Sequence, residues 1–201
     1  MKPGNVWRCV VVLASVGSLG LVAGGSPAEA SSWRIDTGDV RILVPLKPGG
    51  AFEAKTSALS GALTPGSSRP LEVAGEIELD LTTIETGISL RDRHLRENYL
   101  EVSRGQGFDK AVLSKIVLSE GDGAGFRGKT DFSASLLLHG VTGPVAGKGE
   151  ILDAASGVKV EAEFVLTLTD FGIEPPQYMG VGVSDRLVVK VSFGARPEGT
   201  R

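Results

Sequence analysis

Residues 123–130 read Gly123-Ala124-Gly125-Phe126-Arg127-Gly128-Lys129-Thr130, a complete G-x-x-x-x-G-K-[ST] pattern. In that pattern the N–H groups of a glycine-rich turn wrap a phosphate, and a lysine and a helix N-terminus face the anion. The chemistry needs a buried strand before the turn and a helix after it, carried on a parallel sheet. The strand is available in Lys115-Ile116-Val117-Leu118-Ser119-Glu120. The helix is not. Thr130 to His139 runs into Gly140-Val141-Thr142-Gly143-Pro144, and the segments beyond have the period of strands. Glycine makes up 28 of 201 residues, so composition alone fills the pattern easily. The stretch is read as a glycine-rich β-turn between two strands, and no nucleotide is expected despite the match.

Other chemistry-bearing residues are sparse. His94 and His139 are the only histidines, and no motif supplies a third ligand, so neither a metal nor another cofactor is expected. His139 is expected at a strand end. Glu76, Glu78 and Asp80 share the polar side of one alternating segment, which is the usual solvated face of a sheet. No G-x-S-x-G nucleophile motif occurs after the N-terminal segment. An enzyme is not expected.

The elements that must position these residues repeat every two residues. Ile77, Leu79 and Leu81 alternate with Glu76, Glu78, Asp80 and Thr82. Val158, Val160, Ala162, Phe164, Leu166 and Leu168 share one face, with Lys159, Glu161 and Glu163 opposite. Leu187, Val189, Val191 and Phe193 face away from Lys190 and Ser192. Such alternation predicts half-buried antiparallel strands. Shorter candidates are 33–36, 40–44, 112–119 and 132–139. Turn residues at 48–50, 64–70, 121–125, 140–144 and 175–176 separate the runs. Many strands without intervening helices predict a barrel or sandwich, and long strands favour the barrel. The segment 88–104 breaks the pattern: it is charged and lacks Gly and Pro. Asp92 and Arg96, and Leu95 and Tyr99, are four apart, which predicts a short helix near 90–98 against the sheet.

The ends bound the compartment. Lys2 and Arg8 precede an uncharged run from Cys9 to Gly25, which leads to Ala28-Glu29-Ala30. A basic start, a short apolar stretch and an A-x-A site predict a signal peptide over 1–30, cut after Ala30. The run is shorter, and richer in Gly and Ser, than a spanning helix needs. The remaining 31–201 suit a single domain. Cys9 is the only cysteine, so that domain has neither a disulfide nor a thiol ligand. The formal charge of −3, without a basic block, excludes nucleic acid as an expected partner. A periplasmic or secreted protein is expected.

Three stretches resemble one family. Residues 82–102, with Arg91-Asp92-Arg93-His94-Leu95-Arg96 at their centre, residues 136–145, with Leu138-His139-Gly140-Val141-Thr142, and residues 168–173, Leu168-Thr169-Asp170-Phe171-Gly172-Ile173, are similar, in order, to motifs of the YceI family. With Trp33 near the start and Val191-Ser192-Phe193 near the end, the resemblance spans 33–195. The aromatic pair that closes the first motif is replaced here by Tyr99-Leu100, and the arginine of the last motif is absent. The resemblance implies an all-β fold: an extended, eight-stranded antiparallel lipocalin-like barrel with a short helix packed against it. It also implies a bacterial exported protein that holds a polyisoprenoid or similar long-chain lipid, without enzymatic activity.

The alternation places Leu79, Leu81, Leu136, Leu138, Phe164 and Leu166 toward the barrel interior, where an apolar ligand would lie. Arg91, Asp92 and His94 are assigned either to a lipid head group at the barrel mouth or to tying the helix to the sheet. Two functions are open at this point. One is a carrier of a long-chain amphiphile. The other is a barrel filled by its own side chains, acting as a structural or protein-interaction module with no ligand. An eight-stranded barrel is wide enough for either.

Overall fold

The computed structural model describes residues 32–120, 125–178 and 180–198. The expected signal peptide, 1–30, and Gly123 and Ala124 of the glycine-rich stretch lie outside the described residues. Among the described residues eleven strands succeed one another in chain order: β1 Trp33–Lys47, β2 Ala51–Thr56, β3 Leu59–Pro65, β4 Leu71–Asp80, β5 Lys110–Leu118, β6 Gly128–Leu138, β7 Val141–Ala154, β8 Gly157–Thr167, β9 Gln177–Tyr178, β10 Val181–Val183 and β11 Arg186–Pro197. All pairings are antiparallel, in the order β11-β8-β7-β6-β5-β4-β3-β1, and β1 pairs back onto β11. β2 and β3 lie on the same side of β1, β2 beside Val40–Pro45 and β3 beside Trp33–Ile35. They are two parts of one wall strand, so the sheet closes as an eight-stranded barrel.

Closure bends the strands at identifiable places. Register shifts fall between Ile35 and Thr37, between Val73 and Glu76, and between Ser114 and Val117. An extra residue at each bulge kinks one strand and increases its twist. Gly75 sits in the second bulge at φ +101°, and a Cβ there would stand 2.0 Å from Ala62 O. Glycine is therefore required at that bend.

The two ends of the barrel differ. One carries short turns and the start of β1. The other carries the long crossover 81–109 and the segment 168–185. The crossover holds helix α1, Ser89–His94, continued by a π-helical turn over Leu95–Tyr99. This agrees with the helix expected near 90–98. Leu100, Leu168, Phe171 and Ile173 are buried over this end, Phe171 at 2% exposure. It is the capped end.

Three segments differ from the sequence reading. Residues 33–36 and 40–44, read as separate strands, are parts of one strand interrupted by a bulge, which shifts the facing pattern by one. β2 and β3 have Gly, Ala, Ser and Lys where alternation would mark a strand, so their sequences do not announce them. Residues 140–144 are not a long turn. Only His139 and Gly140, both at positive φ, make the turn, and β7 begins at Val141.

Candidate ligand-binding cavity

A cavity of about 240 Å³ lies inside the barrel. Its wall is built from the inward positions of β1, β3–β8 and β11, and nearly all of it is apolar. On β6 the wall extends from Thr130 to Leu138. The eight steps between them, at ~3.3 Å each and tilted by ~35–45°, give a height of ~20 Å. The volume lies just below the ~300–1,000 Å³ usual for small-molecule sites. The space is therefore narrow and elongated, suited to a single chain rather than to a bulky ring system.

The interior is also constricted. The rings of Phe132 and Phe164 meet edge to face, 6.1 Å between centroids, and both press on Gly147 of β7. A Cβ on Gly147 would stand 2.7 Å from Phe164 Cβ and 2.9 Å from Phe132 Cε1.

The six residues predicted to face the interior, Leu79, Leu81, Leu136, Leu138, Phe164 and Leu166, all lie on this wall. They come from β4, the turn after it, β6 and β8, and all six converge because each strand keeps a two-residue period in its second half. Residues that sequence reasoning did not assign to the site form the opposite end. Trp33, Leu63, Pro65, Phe126 and Ile151 line it and are half-buried, whereas Leu81, Leu138 and Leu166 at the capped end are buried. The cavity thus opens at the Trp33 end. Thr130 and Arg127 are its polar wall residues, both at the open end, whereas Glu150, the register partner of outward-facing Lys129, borders it from the outer face of β7. The Arg127 Nε–H donates to Asp153 Oδ1 at 2.7 Å and its Nη1–H to Phe126 O at 2.7 Å. Trp33 Nε1 is shielded from solvent and has no hydrogen-bond partner.

Phe126, Arg127 and Thr130 of the glycine-rich stretch line this mouth. Gly128, Lys129 and Thr130 open strand β6, and Lys129 points outward. A strand, not a helix, succeeds the turn, so no helix dipole faces a phosphate there. Thr130 is buried and accepts a hydrogen bond from Glu120 N at 3.2 Å.

A sequence profile of the YceI-like domain matches residues 33–195. The chain belongs to the YceI-like family. Two solved structures share the fold. One is a polyisoprenoid binding domain from Saccharophagus degradans implicated in plant cell wall breakdown, with 17% identity over 83% of this chain and 98% of that chain, at a TM-score of 0.60. The other is BcnA of Burkholderia cenocepacia, with 11% identity over 78% of this chain and 94% of that chain, also at 0.60. Among curated proteins no sequence relative matches.

In this YceI-like chain the three family-like stretches meet at the capped end. From the first, Asp92 is buried and its Oδ1 accepts from Thr86 N at 2.7 Å and from the Thr86 hydroxyl. Arg91 donates from Nε to Thr86 Oγ1 at 2.7 Å and stacks over Phe52 at 4.1 Å. Arg96 donates to Ile84 O at 2.9 Å. The Thr86 hydrogen bonds hold the Asp92 carboxyl below its ordinary pKa, against the opposing effect of burial, with Arg96 and Arg91 adding smaller attractions. His94 lies exposed on the helix. Arg91, Asp92 and His94 are all off the cavity wall, and Arg91 and Asp92 tie the helix to Thr86 and β2.

The second and third stretches pair with each other. His139 places Nδ1 3.2 Å from Phe171 O and Nε2 3.1 Å from Glu101 Oε2, and its ring meets Phe108 edge-on at 4.9 Å. Arg104 donates to Glu101 Oε2 at 2.6 Å and is the main cause of the lowered Glu101 pKa. Gly172 at φ +70° turns the chain so that Phe171 and Ile173 both point inward. The YceI-like motifs thus build the cap, while the wall is made by strands with little sequence signature beyond alternation.

Proposed function

We propose that this protein is an exported carrier that holds one long-chain lipid of the polyisoprenoid class inside its barrel. The observation that carries the reading is the continuous apolar cavity, open at one end and capped at the other. A barrel serving only as an interaction module needs no such space, since its own side chains can fill it. The polyisoprenoid class is suggested by the relative from Saccharophagus degradans and by the narrow bore. Export is suggested by the basic, apolar and A-x-A sequence of residues 1–30. A binding role rather than catalysis is supported by the wall itself, whose acid and base groups are confined to the mouth.

The energetics require a preformed tunnel. Burying one CH₂ contributes ~0.8 kcal/mol, so about 15 of them contribute ~12 kcal/mol. Association costs an estimated ~4–15 kcal/mol. The margin is narrow, and a wall already apolar and ordered avoids a further ordering cost.

Organic extraction of purified protein and mass spectrometry of the extract test the reading. A long-chain lipid above the level of a control protein is the expected result. If none is found, and neither isoprenoid alcohols nor fatty amphiphiles are taken up when added, the interaction-module reading replaces the carrier.

A further inference from the structure

The ring of His139, inside the cap, faces two groups that can only accept. Nδ1 lies 3.2 Å from the Phe171 carbonyl oxygen, and Nε2 lies 3.1 Å from Glu101 Oε2. A carbonyl has no proton to give, and neither has an ionised carboxylate. Arg104 donates to the same Oε2 at 2.6 Å and holds the Glu101 carboxyl below its ordinary pKa. A neutral imidazole carries one N–H. It would satisfy one of these contacts and set two lone pairs against each other in the other. Only the imidazolium donates to both. The His139 side chain is 13% exposed and meets Phe108 edge-on, so water reaches little of it.

The backbone adds a second observation. His139 and Glu101 stand at φ +52° and +50°, a conformation that residues other than glycine rarely adopt. Two-residue hairpin turns with positive φ ordinarily take Asn-Gly or Asp-Gly. Here His139 and Gly140 make the turn from β6 to β7, Glu101 opens the turn over 102–104, and Phe171 belongs to the segment after β8. One ring thus joins three segments of the cap. Among the described residues, the charged groups at this cluster are Glu101 and Arg104, the latter stacked on Phe108 at 3.9 Å. Asp170, beside Phe171 in the chain, is exposed, and Asp109, beside Phe108, acts on Lys110.

We propose that His139 is a pH-sensitive clip: as the imidazolium it pins the β6–β7 turn, the crossover and the segment after β8 together, and loss of one proton releases an arm and loosens the cap. The bond to the carboxylate is the stronger, so the arm released is the one to Phe171 O. A proton held by the folded cap and given up by the unfolded chain contributes stability at low pH, which is lost as the pH rises past neutrality. The clip is independent of what the cavity holds.

The test uses the full chain. Nitrogen-15 NMR separates the imidazolium, whose two ring nitrogens are alike, from the neutral ring, whose nitrogens differ. His94 and His139 are the only histidines, so His94→Gln assigns the two rings. His139 is expected to keep both N–H groups to a higher pH in the unaltered protein than in Glu101→Gln, whose side-chain amide can donate to a neutral ring. A single N–H on His139 at about pH 5.5, where a free imidazole is already charged, overturns the proposal. So does the same titration in both proteins. Amide hydrogen exchange then reads the cap itself. Gly140 N–H donates to Gly107 O at 2.7 Å, and Ile173 N–H to Leu168 O at 3.1 Å. Relative to amides of the barrel strands, their protection is expected to fall about three- to tenfold between about pH 6 and pH 9, and to stay level in Glu101→Gln. Protection that stays level in the unaltered protein, or falls equally in both, overturns the clip. The readings on the unaltered protein do not depend on how well Glu101→Gln folds.

Discussion

Asp92 shows how a single side chain can hold an element without an ion pair at its centre. Its carboxylate is anchored first by Thr86, and Arg91 and Arg96 reach Thr86 and Ile84 rather than closing a direct bridge. Asp92→Ala leaves the Thr86 N–H and hydroxyl without their acceptor. The melting midpoint is expected to drop on the order of 5 °C. An unchanged midpoint would free this cluster for ligand or partner contact. The pH dependence has a defined sign. The folded-state pKa lies below the ordinary value, so the stabilisation is present above that value and is lost as pH falls through the folded one. Between about pH 5 and pH 2 the unaltered protein should therefore lose more stability than Asp92→Asn. Parallel acid limbs for the two proteins would show that Asp92 is not the group being titrated.

Among the elements, β7 shows little strand alternation in sequence and is closely constrained in structure. Its inward positions are Gly143, Val145, Gly147, Gly149 and Ile151. Two of these glycines exist because rings occupy their space: Phe171 lies over Gly143, and Phe132 and Phe164 over Gly147. Gly147→Ala would drive a methyl to 2.2 Å from Glu163 O on the paired strand. A loss of about 1–3 kcal/mol, read by urea unfolding, is expected. Gly149 is different. The nearest atoms to a Cβ there are Glu161 O at 3.4 Å and Thr130 Cγ2 at 4.0 Å, and the residue lines the cavity. Gly149→Leu is expected to fold, to fill the bore near its mouth, and to abolish lipid uptake. Normal uptake by this variant would place the ligand elsewhere.

At the scale of the whole molecule, the outer wall carries cross-strand ion pairs, among them Lys190–Glu163 at 3.3 Å and Lys110–Glu78 at 2.7 Å. These side chains are about half exposed, and pairs of that kind contribute ~0–1 kcal/mol. Stability rests chiefly on the single apolar core. A ligand that binds only the folded barrel stabilises it by about 2.7 kcal/mol at a hundredfold excess over Kd. For a chain of this size that corresponds to a midpoint shift of roughly 5–10 °C. Delipidated protein is expected to melt lower by that amount and to recover on adding a long-chain alcohol. A midpoint indifferent to extraction and to added lipid would count against a ligand-filled core.

Much of this is legible in the residues alone. Side chains alternate strictly along the second halves of β4, β6 and β8, so Leu79, Leu136 and Leu166 can be assigned inward from the sequence. The helix near 90–98 shows in the loss of that alternation, and the YceI-like motifs in their residue order. The glycine-rich stretch reads as a turn because the residues after Gly128 keep a strand's period. Tertiary structure alone decides the rest. β7 is hidden because rings from β6, β8 and the segment after β8 take the place of its own apolar side chains, a substitution across strands that no local window contains. The bulges are hidden because an extra residue breaks the period it would be detected by. Above all, alternation assigns strand faces but not ends. Which end is capped, and that Trp33 and Arg127, about ninety residues apart in the chain, share the other, depend on closing β1 onto β11.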